Sequence, residues 1–304
     1  MLRPGFINIL KPTGMTSNDL VAKLRGMIKR AYGEKIKTGH TGTLDPNAAG
    51  VMLVALGNAT KFSRYVIEKD KTYRAVIAFG HLTDTLDTYG EIIDTKETKN
   101  HAVGEIERVL ESFLGTSMQI PPKYSALKVD GQRLYKLARE NKDIPQIKAR
   151  EINIDHISLL AYNENSITVD VTCSSGTYIR SLARDIGEAL GELAILSLLI
   201  RTDLDGQSIE DSYTLEELEG LMSQKNLSLA TMTMDSLLEK FPSISLKSGE
   251  KLYVNGASIS TSRYAGKSLD EGHYRVYHDD RFLGIGRVSA GEKETEIKSE
   301  TLVV

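Results

Sequence analysis

An α+β protein is predicted, and three observations carry that expectation. Helical and strand-like stretches are interspersed, without the regular strand-helix-strand alternation of a doubly wound sheet. From about Ile244 the pattern changes to short strands punctuated by Gly and Asn turns, which reads as a small all-β domain. The chain has 304 residues, 40% of them hydrophobic and 26% charged, which suits one large or two unequal domains. The expected division is a body over residues 1–240 and a C-terminal domain over 244–304.

FINIL, ahead of KPTGMTS, reads as a strand entering a turn. NDLVAKLRGMIKRAYG sets Leu20, Val21, Leu24, Met27 and Ile28 at the spacing of one helix face, with Ser17 or Asn18 as the cap. VMLVAL is short, partly β-branched and closed by Gly57, so a strand is expected, followed by ATKFSRYVI as a short helix. TYRAVIAFG is the next strand, and Gly90 with GEIID predicts a hairpin back into the same sheet. VGEIERVLESFLG is an amphipathic helix. Pro121 and Pro122 hold QIPPKYSALKVDG extended, and QRLYKLARE follows as a basic helix. ISLLAY and SITVDVTCS alternate as strands, and GTYIRSLARDIGEALG opens a helix with Ile179, Leu182, Ala183, Ile186 and Leu190 on one face. Thr214 with Glu217 three residues on reads as a capping box, and acidic helices continue to about Leu238. FPSISLKSGEKLYVNGA then starts the C-terminal strands.

Composition excludes several classes. The longest apolar runs, VMLVALG and LAILSLLI, are far below the roughly 18 residues needed to span a membrane. MLRPGFINILKPTG places Pro4 and Pro12 around a short apolar run, without the core or cleavage site of a signal peptide. The lone Cys173 rules out an internal disulfide and points to a reducing, cytoplasmic compartment. A net charge of −3 argues against a nucleic-acid partner until its distribution is read. Lys23 to Lys37 carries six basic residues against Glu34, and Pro121 to Arg150 carries eight against three acids, with Tyr124 and Tyr135 interleaved. Arg201 to Lys240 holds three basic residues and nine acidic ones. On charge alone the basic zones read equally as an RNA-facing surface and as solvated helix faces.

The stretch HTGTLDPNAAG raises the chemical question. Asp45 before Pro46 is the arrangement of a helix cap, and a lone aspartate among small residues is also a candidate nucleophile. Arg180, in the tight passage TCSSGTYIR, is either a surface residue of a first helical turn or a cation held rigidly by its scaffold. Asp84 and Asp87 in TDTLDTYG lack the further oxygen ligands of a calcium loop. The six histidines form no zinc spacing, and Cys173 has no cysteine or HxE partner. KPTGMTS is not a GxxxxGKS phosphate loop, and GIG is too little for a dinucleotide fold.

KPTGMTS, GHTGTLDPNAAGVM, KTYRAVIAFGHLTDTLDTYG, PPKYSALKVDG and CSSGTYIRSLARDIG, in that order, closely resemble the TruB class of bacterial tRNA pseudouridine synthases, over nearly the whole chain. The resemblance implies isomerisation of uridine to pseudouridine at position 55 in the T loop of tRNA, with no cofactor, no metal and no obligate protein partner, in a monomer. It implies a catalytic body with a central mixed, mainly antiparallel sheet flanked by helices, an RNA-gripping insertion at about 121–150, and a C-terminal PUA-like RNA-binding domain. Carried over, Asp45 is the nucleophile, Tyr73 of KTYR stacks on the target base and takes part in proton transfer, and Arg180 pairs with the aspartate. Lys11 and Pro12 match a motif of structural role, His40 and Tyr178 fall around the substrate, and the LIRT passage from Leu199 to Thr202 resembles the edge of the substrate pocket. Lys123, Lys128 and Arg133 would contact RNA.

The residue types suit that chemistry. An ionised carboxylate can attack base or ribose, or take a ribose proton, and a nearby guanidinium keeps it ionised against burial. Two other readings compete: an RNA-binding protein with an inert pocket, and an enzyme acting on a free nucleoside, which would not need the basic insertion.

Overall fold

The computed structural model describes residues 2–67, 70–125, 127–129, 132–140, 146–265, 269–291 and 294–303. In chain order the first elements are β1 (Gly5–Lys11), α1 (Ser17–Tyr32), β2 (Thr38–His40), β3 (Ala49–Leu56), α2 (Ser63–Ile67), β4 (Lys71–Phe79), β5 (His81–Thr83) and β6 (Ile92–Thr95). Then come α3 (Val103–Glu111), β7 (Gly115–Gln119), β8 (Lys128–Val129), β9 (Gln132–Arg133), α4 (Leu134–Arg139), β10 (Arg150–Asn163), β11 (Ser166–Cys173), α5 (Ile179–Leu190) and β12 (Ala194–Leu204). The remainder is β13 (Gln207–Ser208), α6 (Leu215–Ser223), β14 (Ser243–Leu246), α7 (Glu250–Val254), β15 (Ile259–Ser260), α8 (Thr261–Ala265), β16 (Gly272–His278), β17 (Arg281–Ala290) and β18 (Thr295–Leu302).

The central sheet runs β1-β3-β12-β4-β11-β10-β7, with β2 and β13 as short additions. The pairings along it are antiparallel except that of β12 with β3, so the sheet is mixed and mainly antiparallel. VMLVAL shows no alternation because both faces of β3 are covered. Met52, Val54 and Leu56 join the core beneath α1 and α5, while Val51, Leu53 and Ala55 face a second core with Phe62, Val66, Leu237 and Ile285. The apolar stripe of α1 is buried as its spacing predicts, and so is that of α5.

Several details depart from expectation. Thr16, not Ser17 or Asn18, caps α1: its hydroxyl accepts from Asp19 N, and Thr16 N donates back to the Asp19 carboxylate at 3.1 Å. Ser17 is drawn away by another partner, described below. The hairpin after β4 does not rejoin the main sheet, since β5 and β6 form a separate two-stranded ribbon. ATKFSRYVI is split between a 3-10 turn, Gly57–Lys61, and α2. LAILSLLI, for which periodicity predicts no particular element, belongs to β12 at the centre of the sheet. Beyond Ser243 the chain forms a second, five-stranded sheet, β14-β16-β17-β18-β15, with α7 and α8 added to the strands expected there.

That second sheet is joined to the first by shared packing. Ile285 of β17 lies in the core behind β3, Asn58 Nδ2 donates to Val303 O at 2.8 Å, and Arg64 pairs with Glu300 at 3.0 Å. Tyr65 stands edge-on to Phe241 and His273.

Gly50 permits the parallel pairing of β3 with β12. It sits at φ +115° opposite Arg201, and a Cβ there would collide with the backbone carbonyl and nitrogen of Arg201. Both the left-handed conformation and the close approach exclude a side chain. Gly50→Ala is therefore expected to cost about 2–4 kcal/mol in denaturant unfolding. A change below about 0.5 kcal/mol would show that the β3-β12 pairing tolerates a side chain.

Candidate functional site

The turn carrying Asp45 is gripped from both sides by KPTGMTS. Gly14 N donates to Pro46 O at 2.8 Å, and the Ser17 hydroxyl both donates to Leu44 O and accepts from Leu44 N, each at 2.9 Å. Lys11, fully buried, points its ammonium at the carbonyl oxygens of Pro12, Met15 and Pro46 at 2.8, 2.6 and 3.3 Å. Ala48 N closes the turn on Asp45 O at 3.1 Å, and the chain then enters β3. No helix follows Asp45, so the capping explanation of this aspartate is removed.

Instead its carboxylate meets Arg180, Oδ2 to Nη2, at 2.9 Å. Arg180 stands in the first turn of α5 but faces inward. The same guanidinium donates to Tyr124 O at 3.0 Å and Thr85 O at 3.1 Å, and its Nη1 lies 3.8 Å from Asp87 Oδ2. Burial falls mostly on the arginine, whose side chain is 7% exposed against 36% for Asp45. The carboxylate expected to be buried thus keeps solvent access while its partner does not.

Asp87 is buried and is the second anion near Arg180, a role the sequence does not reveal. Its Oδ1 accepts from the Thr85 hydroxyl at 2.7 Å and Tyr89 N at 3.0 Å. Asp84 accepts from Glu91 N at 3.0 Å and the Tyr124 hydroxyl at 2.9 Å. TDTLDTYG is a turn network, and among the described residues no three metal-ligating side chains converge. Leu86 adopts φ +63° within it, a conformation costly for a residue with a side chain, and its carbonyl accepts from Leu196 N at 3.0 Å.

Tyr73 lies near the start of β4, buried, directly across from Arg201 in β12. Burial pushes its phenol pKa up, and the nearby Arg201 charge is the chief opposing influence. His40 ends β2 half-buried, its Nδ1 without a hydrogen-bond partner, and burial followed by the Arg201 charge lowers its pKa. Tyr178 is the N-cap residue of α5, and the Gln119 amide holds both its N–H and its C=O, at 2.9 and 3.1 Å. Burial raises its phenol pKa. Leu199 lines an opening with Asp45, Asn47, Ala48, Leu196, Ser197 and Leu198, where a register shift in β12 turns Leu198 outward. Lys123 is exposed beside Tyr124. For Lys128, Arg133 and Lys136 the side chains lie outside the described structure. In the other basic zone Arg25 Nε donates to Thr38 Oγ1 at 2.9 Å, and Arg30 pairs with Glu219 at 3.9 Å across the surface. Arg201, fully buried, belongs to the LIRT passage that resembles a pocket edge, but the sequence assigns it no role of its own. No helix among the described residues is long and apolar enough to cross a membrane.

Residues 29–179 match the family model described as TruB family pseudouridylate synthase (N terminal domain), which sets the class as enzymes that make pseudouridine. The tRNA pseudouridine synthase B of Clostridioides difficile (strain 630) is 38% identical over 302 residues, covering 98% of this chain and 99% of that protein. The enzyme of that name from Caldanaerobacter subterraneus subsp. tengcongensis is 42% identical over 295 residues, covering 95% and 96%. The chain belongs to the TruB family of pseudouridylate synthases. In fold it is similar to a chain in the crystal structure of a Cbf5-Nop10-Gar1 complex, with a TM-score of 0.75, 24% identity, and 99% and 85% of the two chains covered.

Lys11 and Lys71 are buried lysines whose pKa burial lowers from 10.5 to about 8. Between those values the unfolded chain binds more protons than the folded one, so stability rises with pH across that window. Urea unfolding at about pH 9.5 should give a higher midpoint than at about pH 7.5. Lys11→Met should lower both midpoints, by loosening the Asp45 turn, and reduce the difference between them. A midpoint that falls over this interval in the unsubstituted protein would contradict the burial of these charges.

Proposed function

We propose that this chain converts uridine to pseudouridine at position 55 in the T loop of tRNA, with the target base flipped out of the stack and Asp45 as nucleophile. The observation that carries the reading is the 2.9 Å pair of Asp45 with a buried Arg180 at an opening edged by Leu199. The names of the close relatives supply the substrate class. In the reaction the bond from ribose C1′ to N1 breaks, the base turns, and C1′ joins C5, while N1 gains a proton and C5 loses one. Atoms and electrons balance within the substrate, so the step calls for positioning, charge and proton transfer rather than an oxidant or activated group.

In this reading the residues divide the work. Arg180 fixes the carboxylate and keeps it charged. Tyr73 offers its ring to the base and its oxygen to the proton leaving C5. Leu199 packs at the pocket edge, and His40 and Tyr178 flank it. The body, residues 1–240, performs the chemistry without cofactor or metal, and residues 244–304 act as a PUA-like domain on the T arm. The insertion at 121–150 helps offset the few kcal/mol that flipping costs. The enzyme works as a cytoplasmic monomer.

Asp45→Asn tests the nucleophile directly. Asparagine keeps the shape and one oxygen for Arg180, so the fold and tRNA affinity should persist while single-turnover pseudouridine yield falls below detection. Near wild-type yield would remove Asp45 from the chemistry. Arg180→Lys should also be severely slowed, because lysine lacks the planar fork that reaches both Asp45 and two carbonyls.

The insertion is tested by replacing Lys123, Lys128, Arg133 and Lys136 together with alanine. tRNA affinity should drop, and its salt dependence should flatten by about one unit of slope for each phosphate that is no longer neutralised, with turnover at saturating tRNA changing less. An unchanged salt slope would assign these residues to ordinary solvated surface.

A further inference from the structure

Arg201 is the largest of the fully buried side chains in the described structure, yet most of its hydrogen-bonding capacity is unused. Nε donates to Val51 O at 2.7 Å, while Nη1 and Nη2 make no hydrogen bond of full geometry, although the guanidinium is near enough to the Tyr73 phenol to act on it as a donor, and among the described residues no carboxylate lies within ion-pair distance. A guanidinium taken out of water without a counter-charge is costly, and leaving its donors idle adds to the cost. The fold nevertheless takes trouble to place it. Gly50 gives up a side chain so that the Arg201 backbone can approach.

The groups close enough to feel this charge come from three strands: Lys11 on β1, His40 on β2, and Lys71 and Tyr73 on β4, facing Arg201 on β12. Tyr73 also feels Cys173 from β11 and Asp45 from the turn. Of the four groups facing Arg201, two are lysines and one is a histidine, so the phenol alone can become an anion. It is also the cross-strand partner of Arg201, and directly opposed residues project from the same face of a sheet.

We infer that Arg201 is a positioning residue for Tyr73: its idle N–H groups orient the phenol oxygen and supply the positive charge that lets this buried tyrosine pass through the phenolate. The inference rests on the reaction proposed above. There the phenol gives its proton to N1 of the released base, and the phenolate takes the proton from C5 once C5 has joined the ribose. The C5–H electron pair returns to the ring, Tyr73 is regenerated, and no proton is gained or lost. Arg201 touches no reacting atom. It acts only through the tyrosine.

The test places a difluorinated tyrosine, whose phenol is more acidic, at position 73 in proteins with Arg201, Arg201→Gln and Arg201→Lys. Its fluorine NMR signal is titrated without RNA, and single-turnover pseudouridine formation on unmodified tRNA is followed beside the same proteins with ordinary tyrosine. Melting curves check folding. The phenol should titrate at least about one pH unit lower with Arg201 than with Gln. Arg201→Gln should slow turnover at least about tenfold, the equivalent of that unit, and the fluorinated tyrosine should recover most of the loss. Arg201→Lys should fall between. Coincident titrations, no rescue by fluorination, or failure of both variants to fold would each overturn the inference and leave Arg201 a structural residue. If the unsubstituted protein makes no pseudouridine on tRNA, the reaction itself falls, while the titration still decides whether Arg201 governs the phenol.

Discussion

One buried guanidinium organises the site. Arg180 presents its guanidinium inside the protein, where Nη1 and Nη2 find acceptors although Nε has none, and a buried charge that lacks partners is among the most destabilising features a fold can carry. Asp45, Asp87, Thr85 O and Tyr124 O arrive from three separate loops to answer it. Much local irregularity serves this convergence. Leu86 accepts a left-handed conformation in the loop that brings Asp87, and Pro121 and Pro122 lead straight into the segment that offers Tyr124. The Ser181 hydroxyl, next along α5, donates to Ile120 O at 2.8 Å and holds that segment to the helix.

The aspartate is fixed by different means. Its neighbours Leu44 and Pro46 are each hydrogen-bonded by KPTGMTS, so the backbone on both sides is pinned while the carboxylate stays open to solvent. A reactive group placed this way needs no rearrangement to meet its target, and the cost of holding it is met by residues outside the chemistry. Lys11 illustrates the division: its ammonium is committed to carbonyl oxygens of the two turns.

Much of this is legible from local pattern. The buried face of α1, the face of α5, and the Thr214 to Glu217 box depend on spacings of three and four residues, which one sequence displays. The ordered motifs point to Asp45 and Arg180, but spacing cannot show that the two meet. What stays hidden is non-local. LAILSLLI is too short and too uniformly apolar for periodicity to separate strand from helix, so β12 and its parallel pairing with β3 escape prediction, and with them the burial of Arg201 opposite Tyr73. The cap expected at Ser17 fails because its hydroxyl is claimed by Leu44, far along the chain. Asp87 looks like a turn residue because it is one; its second task depends on an arginine that only the folded chain brings near.

The shared packing between the two sheets bears on the order in which the molecule can be completed. Phe6, Val51, Leu53 and Phe62 are made early in synthesis, whereas Ile285, which closes the core behind them, comes from near the other end of the sequence. Until β17 arrives, the core behind β3 is covered by Phe62, Val66 and Leu237 but lacks Ile285. The nascent body therefore emerges with that core incomplete, while its other core beneath α1 is free to form.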